Sequence, residues 1–373
     1  MKHEFAFEVQ FRFNARMIED HRGDVLLVGS LPFDTAEEAI GAAAEHLGDH
    51  LPAMGDGEVG PRKIWIGFLP MTIYSKHPAL ETLRAPEGGV PQPHHSDVYE
   101  AAFLFGIKSG EELRFETTNY GPIAVESYEV FKRLREQGAV PEGVRFQVTF
   151  PGTGSAISYF FRERDWPAAH AAYHDAVRRD IELILEHVPA SDLQFQFDLA
   201  QEFVDMASGD AKGIADWPDA TLEEKIERHA AVLPELARSV PEEARLGFHW
   251  CYGTWGGWPM KDMADLGLCV RMTKQAIART DRRVDYVHMP ALKHPQPEFF
   301  APLADLDGED VDVYLGIIHH TDGVDGFIER MAMARRYRAR FGIASVCGYG
   351  RVDPAELPHI LAVHRDCAAA LRA

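Results

Sequence analysis

Eight short apolar runs, each followed by a turn signal or a stretch of helical periodicity, leave this chain few folds to choose from. The runs lie at 25–29, 64–69, 144–150, 193–198, 246–251, 284–288, 311–319 and 342–347. Runs of this length read as buried strands, and strands alternating with helices imply a parallel sheet. Helices are expected over 36–47 (with Thr35 or Asp34 as N-cap), 123–137, 165–188, 222–239, 262–278, 323–341 and 355–371. The clearest is 165–188, capped by Asp165, with Pro167 in its first turn and Tyr173, Val177, Ile181, Ile184, Leu185 and Val188 along one stripe. The pattern predicts one α/β domain over residues 1–373, a single (β/α)8 TIM barrel with an elaborated segment around 70–121. Residues 1–23 read as a strand-like N-terminal extension.

Charge and cysteine usage narrow the function. A formal net charge of −20 opposes unassisted binding to nucleic acid or to an anionic membrane. The four cysteines are too scattered for a disulfide framework. No signal-peptide core opens the sequence, and no apolar run approaches the roughly 20 residues needed to span a bilayer. The expectation is a cytoplasmic protein acting on a small molecule, with a homodimer compatible with the sequence.

In barrels of this kind the active site sits at the carboxyl ends of the strands. Those ends carry Asp198, His249 and Cys251, His288, His319, and Cys347. His249 and Cys251 leave one face of their strand, while Leu246, Phe248 and Trp250 leave the other and pack outward. A lone H-x-C is as easily a buried histidine and a small hydrophobe. A set in register on successive strands is harder to explain that way, and it suits zinc held by His249, Cys251, His288 and Cys347. In the strand LQFQFD, Gln194, Gln196 and Asp198 share the face opposite three apolar residues, so a polar row lines the barrel interior. Trp65, Trp250, Tyr252, Trp255, Trp258 and Tyr349 crowd the loops and suggest a flat organic substrate. Asp56 and Glu58, in a glycine-rich loop, are in reach of the barrel mouth, but a solvated turn is the favoured reading.

These residues resemble the catalytic barrel of cobalamin-independent methionine synthase, within the superfamily that includes uroporphyrinogen decarboxylase. The G-S-x-P after that family's first strand matches Gly29-Ser30-Leu31-Pro32, placing Ser30 at the substrate. Its zinc-binding H-x-C matches His249-Trp250-Cys251, and its C-G turn matches Cys347-Gly348. His288 falls where the family has a glutamate ligand. The family's Q-x-D, whose aspartate meets the substrate amino group, matches Gln196-Phe197-Asp198, but the glutamate that follows is Leu199 here. Its D-x-H-S, with a catalytic histidine, matches Ile317-Ile318-His319-His320 without the aspartate. The strings GDGEVGPRKIWI and LGIIHHTDG also resemble bacterial and fungal members of the superfamily.

Three readings of the chemistry follow. In the first, a zinc-dependent one-carbon (methyl) transferase activates a thiol or oxygen nucleophile, with Asp198 orienting the substrate and His319 as general acid. The second is a lyase releasing carbon dioxide or formaldehyde from an aromatic or hydroxylated molecule. In the third, a binding protein carries a closed structural zinc. Methionine synthesis itself is disfavoured by Leu199 and by the single barrel, because the family's enzyme duplicates its barrel to handle folate polyglutamate.

Overall fold

The computed structural model describes residues 23–86, 88, 102–254 and 257–373. The strand-like extension expected over 1–23 and the aromatic Trp255 therefore lie almost entirely, and entirely, outside the described residues. In chain order the strands are β1 (Val25–Leu26), β2 (Ala53–Met54), β3 (Leu80–Arg84), β4 (Leu104–Ile107), β5 (Arg145–Pro151), β6 (Leu193–Leu199), β7 (Arg245–Trp250), β8 (Tyr286–Pro290), β9 (Asp312–Ile318) and β10 (Gly342–Ser345). Eight of them form one parallel sheet in the order β1-β10-β9-β8-β7-β6-β5-β2, curled into a nearly closed barrel with helices alternating around it. β3 and β4 form a separate antiparallel hairpin within the elaborated segment.

Seven of the eight barrel strands fall on the expected runs. The second does not. Residues 64–69 form a 3-10 turn, Trp65–Gly67, and the start of the short helix Phe68–Thr72, while the strand is Ala53–Met54, paired with Arg145 and Phe146. A short apolar run is equally a buried helix segment, and Phe68 and Leu69 are buried in that form. A two-residue strand shows no periodicity. The correction matters, because it places the GDGEVG loop directly after a barrel strand.

The helices follow their local signals. Ala36–Leu47 starts in a capping box: Thr35 accepts from the Glu38 N–H, and the Glu38 carboxylate accepts from the Thr35 N–H. Trp166–His187 buries Tyr173, Val177, Ile181 and Ile184 along its inner stripe. Asp165 sits at its N-cap position but turns away from it, accepting from the N–H of Ile107 and from Arg162. The strand aromatics face these helices. Phe150 stacks on Phe197 and Phe248 on Trp250, and the Trp250 indole donates to Thr273.

The barrel interior is polar. Between β1 and β2 the wall is held by single backbone bonds, Gly23 and Val25 N–H to the His50 carbonyl and Leu31 N–H to the Gly57 carbonyl. The β1-side carbonyls without ladder partners are met from across the barrel: Gln147 donates to Val28 (3.2 Å), and Gln196 donates to the same oxygen (2.6 Å). Gln194 in turn donates to Gln147. Val28 would keep Gln196 if Gln147 were lost, but the Leu27 carbonyl, to which Gln147 also donates (3.4 Å), would lose that donor. A buried polar group left without a partner costs a large part of its desolvation. Gln147→Leu, which also strands the Gln194 amide, should destabilise the fold by about 1–3 kcal/mol, read as a lower urea midpoint at unchanged m-value.

Candidate metal centre and active-site pocket

Strand register builds the floor of the site. Asp198 on β6 lies opposite His249 on β7, and His249 lies opposite His288 on β8. Gly247, two residues before His249, is bare because the Tyr286 ring fills the place of its side chain: a Cβ there would stand 2.1 Å from the ring. The Tyr286 hydroxyl then donates to the Gln196 Oε1, and Gln196 donates to Asp198 at 2.9 Å. Gln196, with both amide hydrogens used, is thus a positioning group for Asp198 and lies below the pocket.

Past the strand ends, Cys251 and Cys347 bring their sulfurs to 3.8 Å. One nitrogen of His249 joins them, the three ligand atoms lying within 4.8 Å of one another. Nδ1 of His249 is 2.6 Å from Nδ1 of His288, which leaves Nε2, a buried nitrogen with no hydrogen-bond partner. Two thiolates on one tetrahedral zinc, at Zn–S of about 2.3 Å, stand roughly 3.8 Å apart. An unpartnered imidazole nitrogen beside two such sulfurs is a donor set that fits zinc. The shared hydrogen bond with Cys251, helped by His249, holds the Cys347 thiol well below its ordinary pKa and pushes that of Cys251 well above.

His288, expected as a fourth ligand, stands outside this group. Its Nε2 bonds the Ser345 carbonyl at 2.9 Å and its Nδ1 meets His249, so both ring nitrogens are used.

The loop after β2 supplies what the sequence reading missed. Asp56 and Glu58 are buried, at 5% and 7% exposure, and form no solvated turn. Arg62 grips Asp56 with two guanidinium nitrogens (3.1 and 2.7 Å), Ser127 donates to it, and so does the Glu58 N–H. Burial alone would raise the Asp56 pKa, but the Arg62 charge and these donors hold it below the usual carboxylate range. The brace keeps Glu58 at φ 51°, a left-handed conformation rare for a side-chain-bearing residue. Glu58 thereby reaches the Ser30 hydroxyl, which donates to it. Burial pushes the Glu58 carboxyl up to about 8, against the downward pull of Ser30 and Arg62. Asp198 is also raised well above its usual value, by burial and then by the charges of Glu58 and Cys347.

A pocket of about 730 Å³, counted to its opening, joins the two halves; Ser30, Glu58, Asp198, Cys251, Cys347 and Arg351 line it. Gln196, Trp250, Tyr252, Trp258, Tyr349 and His319 are not among its walls. Tyr349 is buried with its ring edge-on to His364 and His320, behind the Cys347 turn. His319 is partly buried, bonds the Ala291 carbonyl through Nε2 at 3.0 Å, and is held down to about pKa 4 by burial and the Arg330 charge. Trp65 does line the pocket. The signal for Glu58 was its position in a glycine-rich acidic loop, outweighed because the expected second strand, 64–69, begins eleven residues after the observed one, Ala53–Met54.

Solved structures share this fold. A B12-independent methionine synthase from Shewanella sp. W3-18-1, in complex with selenomethionine, matches with a TM-score of 0.59 at 13% identity, over 90% of this chain and 87% of that one. A candidate vitamin-B12-independent methionine synthase from Listeria monocytogenes matches at 0.51 and 14% identity, over 89% and 86%. At these identities the likeness is one of fold. No family model and no curated protein matches the sequence.

The Asp56 brace is testable on its own. Asp56→Ala leaves Arg62 buried without its carboxylate and should cost about 3–5 kcal/mol in chemical denaturation. Asp56→Asn, which keeps the hydrogen-bonding shape, should cost clearly less.

Proposed function

We propose that this chain is a zinc-dependent enzyme that activates a small thiol for one-carbon (methyl) transfer. The observation that carries the reading is the His249, Cys251 and Cys347 group opening onto a pocket whose other wall is Glu58 and Asp198. Structural zinc sites are closed by four protein ligands, whereas catalytic ones keep a position for water or substrate. When bound by this set, zinc lowers the pKa of a ligated thiol and presents it as thiolate at neutral pH. The donor set is soft, which suits a sulfur nucleophile better than the polarised oxygen a carbon–carbon lyase would need.

The protein's own groups divide the remaining work. Asp198, aimed by Gln196, and Glu58, aimed by Ser30 and the Asp56 brace, face the pocket as two carboxyls with raised proton affinity. An ammonium group placed between them would be held by both, fixing a thiol-bearing amine with its sulfur toward the cysteines. The fold neighbours lend support, since the Shewanella protein is a methionine synthase matched over 87% of its chain. That match also removes single-barrel length as an argument against methionine formation. Leu199 and His288 remain as departures from the family pattern.

Purified protein, prepared without chelator, should carry about one zinc per chain. Cys347→Ser should abolish both zinc retention and methyl transfer to small aminothiols while circular dichroism stays unchanged. Asp198→Asn and Glu58→Gln should each lower kcat/KM by about 10²–10³-fold if they anchor the amine. His319→Gln should change it only a few-fold; a loss of about 10²–10⁴-fold would restore His319 as general acid.

A further inference from the structure

We propose that His288, on the strand where the resemblance expects a ligand, is a positioning residue that fixes the His249 tautomer, leaving a centre of one nitrogen and two sulfurs with its fourth position open to the pocket. The inference rests on the metal reading above and goes further, since it assigns each ring nitrogen a role and counts the ligands.

A carbonyl oxygen only accepts, so the His288 nitrogen 2.9 Å from the Ser345 carbonyl is a donor and carries the hydrogen. Between the two Nδ1 atoms, 2.6 Å apart, there is one hydrogen: one ring donates and the other accepts. Were His288 the donor there too, it would be an imidazolium, fully buried and with no carboxylate on either nitrogen, which is a costly place for a charge. His249 would then hold its own hydrogen on Nε2, on the side of the two sulfurs, where a metal ligand needs a lone pair. In the alternative every group is satisfied. Neutral His288 donates through Nε2 and accepts at Nδ1, His249 donates through Nδ1, and Nε2 of His249 is a bare lone pair beside the two sulfurs. An imidazole binds metal through just such a lone pair, with its other nitrogen held by an outer partner.

The backbone is shaped around the same chain of bonds. The ladder between β9 and β10 slips between Ile343 and Ser345, and the carbonyl at the slip is the one His288 uses. On β9, Gly316 faces this contact. A Cβ there would lie 2.9 Å from the Ser345 oxygen and 3.0 Å from the His288 Nε2. Any side chain at 316 would enter the space between the carbonyl and the ring. Three neighbouring strands thus contribute to seating a residue that is one step removed from the metal.

The ligand count is read without assaying activity. X-ray absorption at the zinc edge of the Zn²⁺-loaded full chain should show one imidazole and two sulfurs, with the remaining scatterer oxygen or nitrogen from solvent. His288→Gln can still accept from His249 and donate to Ser345, so it should keep that donor set and bind Zn²⁺ within a few-fold of wild type in a chelator competition. His288→Leu removes both bonds and should weaken Zn²⁺ by about 10–100-fold, the usual effect of deleting an outer-shell partner. Two imidazoles in the wild-type spectrum, with one lost in His288→Gln, would overturn this inference and leave the metal reading intact. Equal Zn²⁺ affinity in wild type and His288→Leu would overturn it as well. A wild-type chain that takes up no Zn²⁺ or Co²⁺ would overturn the metal reading, and this inference with it.

Discussion

The site depends on the register of three neighbouring parallel strands. Asp198, His249 and His288 stand side by side because β6, β7 and β8 pair in one alignment, and each points into the barrel because side chains alternate along a strand. A slip of one residue in β7 would turn His249 outward and carry the Phe248 and Trp250 stack into the interior, so the aromatic packing outside defends the polar geometry inside. The defence reaches beyond one strand. Gly247 makes room for Tyr286, Tyr286 holds Gln196, and Gln196 holds Asp198. The floor of the pocket is therefore as rigid as the barrel wall.

The upper part of the site is built differently, from loops held by buried polar bonds. A buried ion pair such as Asp56 with Arg62 is weak as a source of net stability, since desolvation offsets most of the attraction. Its value here is geometric. Asp56 collects Arg62, Ser127 and the Glu58 N–H, and so holds Glu58 in a backbone conformation it would not choose. At the other side of the mouth, Gly348 and Gly350 lie so close to Ser30 that a Cβ on either would stand within 2.7 Å of it. The Cys347 turn and the Ser30 turn are thereby pressed together, and the cysteine half and the carboxyl half share one seam.

What the sequence made legible follows from these two modes of construction. Strand-borne residues were readable, because alternation and position at a strand end are periodic signals; Asp198, His249, Cys251 and Cys347 came from them. The inward row of glutamines was readable for the same reason. Loop-borne residues were not. Glu58 depends on a two-residue strand too short to carry a period, and on a salt bridge whose partners lie six residues apart in an irregular loop. His288 was legible as a strand-end histidine beside His249, but its bonds to the Ser345 carbonyl and to His249 Nδ1 show only in three dimensions. His319 and Tyr349 sit where the pattern put them, yet their side chains are engaged by Ala291 and by His364 and His320, away from the pocket walls.

Charge places a last constraint on the substrate. With a net charge of −20 the protein's field favours approach of cations and disfavours anions, an effect confined to about 8 Å at physiological ionic strength. At contact range the floor offers Glu58 and Asp198, buried carboxyls whose raised proton affinity an ammonium between them would lower, favouring their ionised form. Only the rim departs from the preference for cations, with Lys63 and Arg351 among the lining residues, and both already have partners in Asp34 and Thr254. A small thiol carrying an ammonium is favoured on approach and by ionised carboxyls at the floor, and is opposed at the rim. A dianion would meet a favourable potential only at the rim. The electrostatics of the whole chain and the soft donor set thus both support the proposed substrate, a thiol with a positively charged group a few bonds from sulfur.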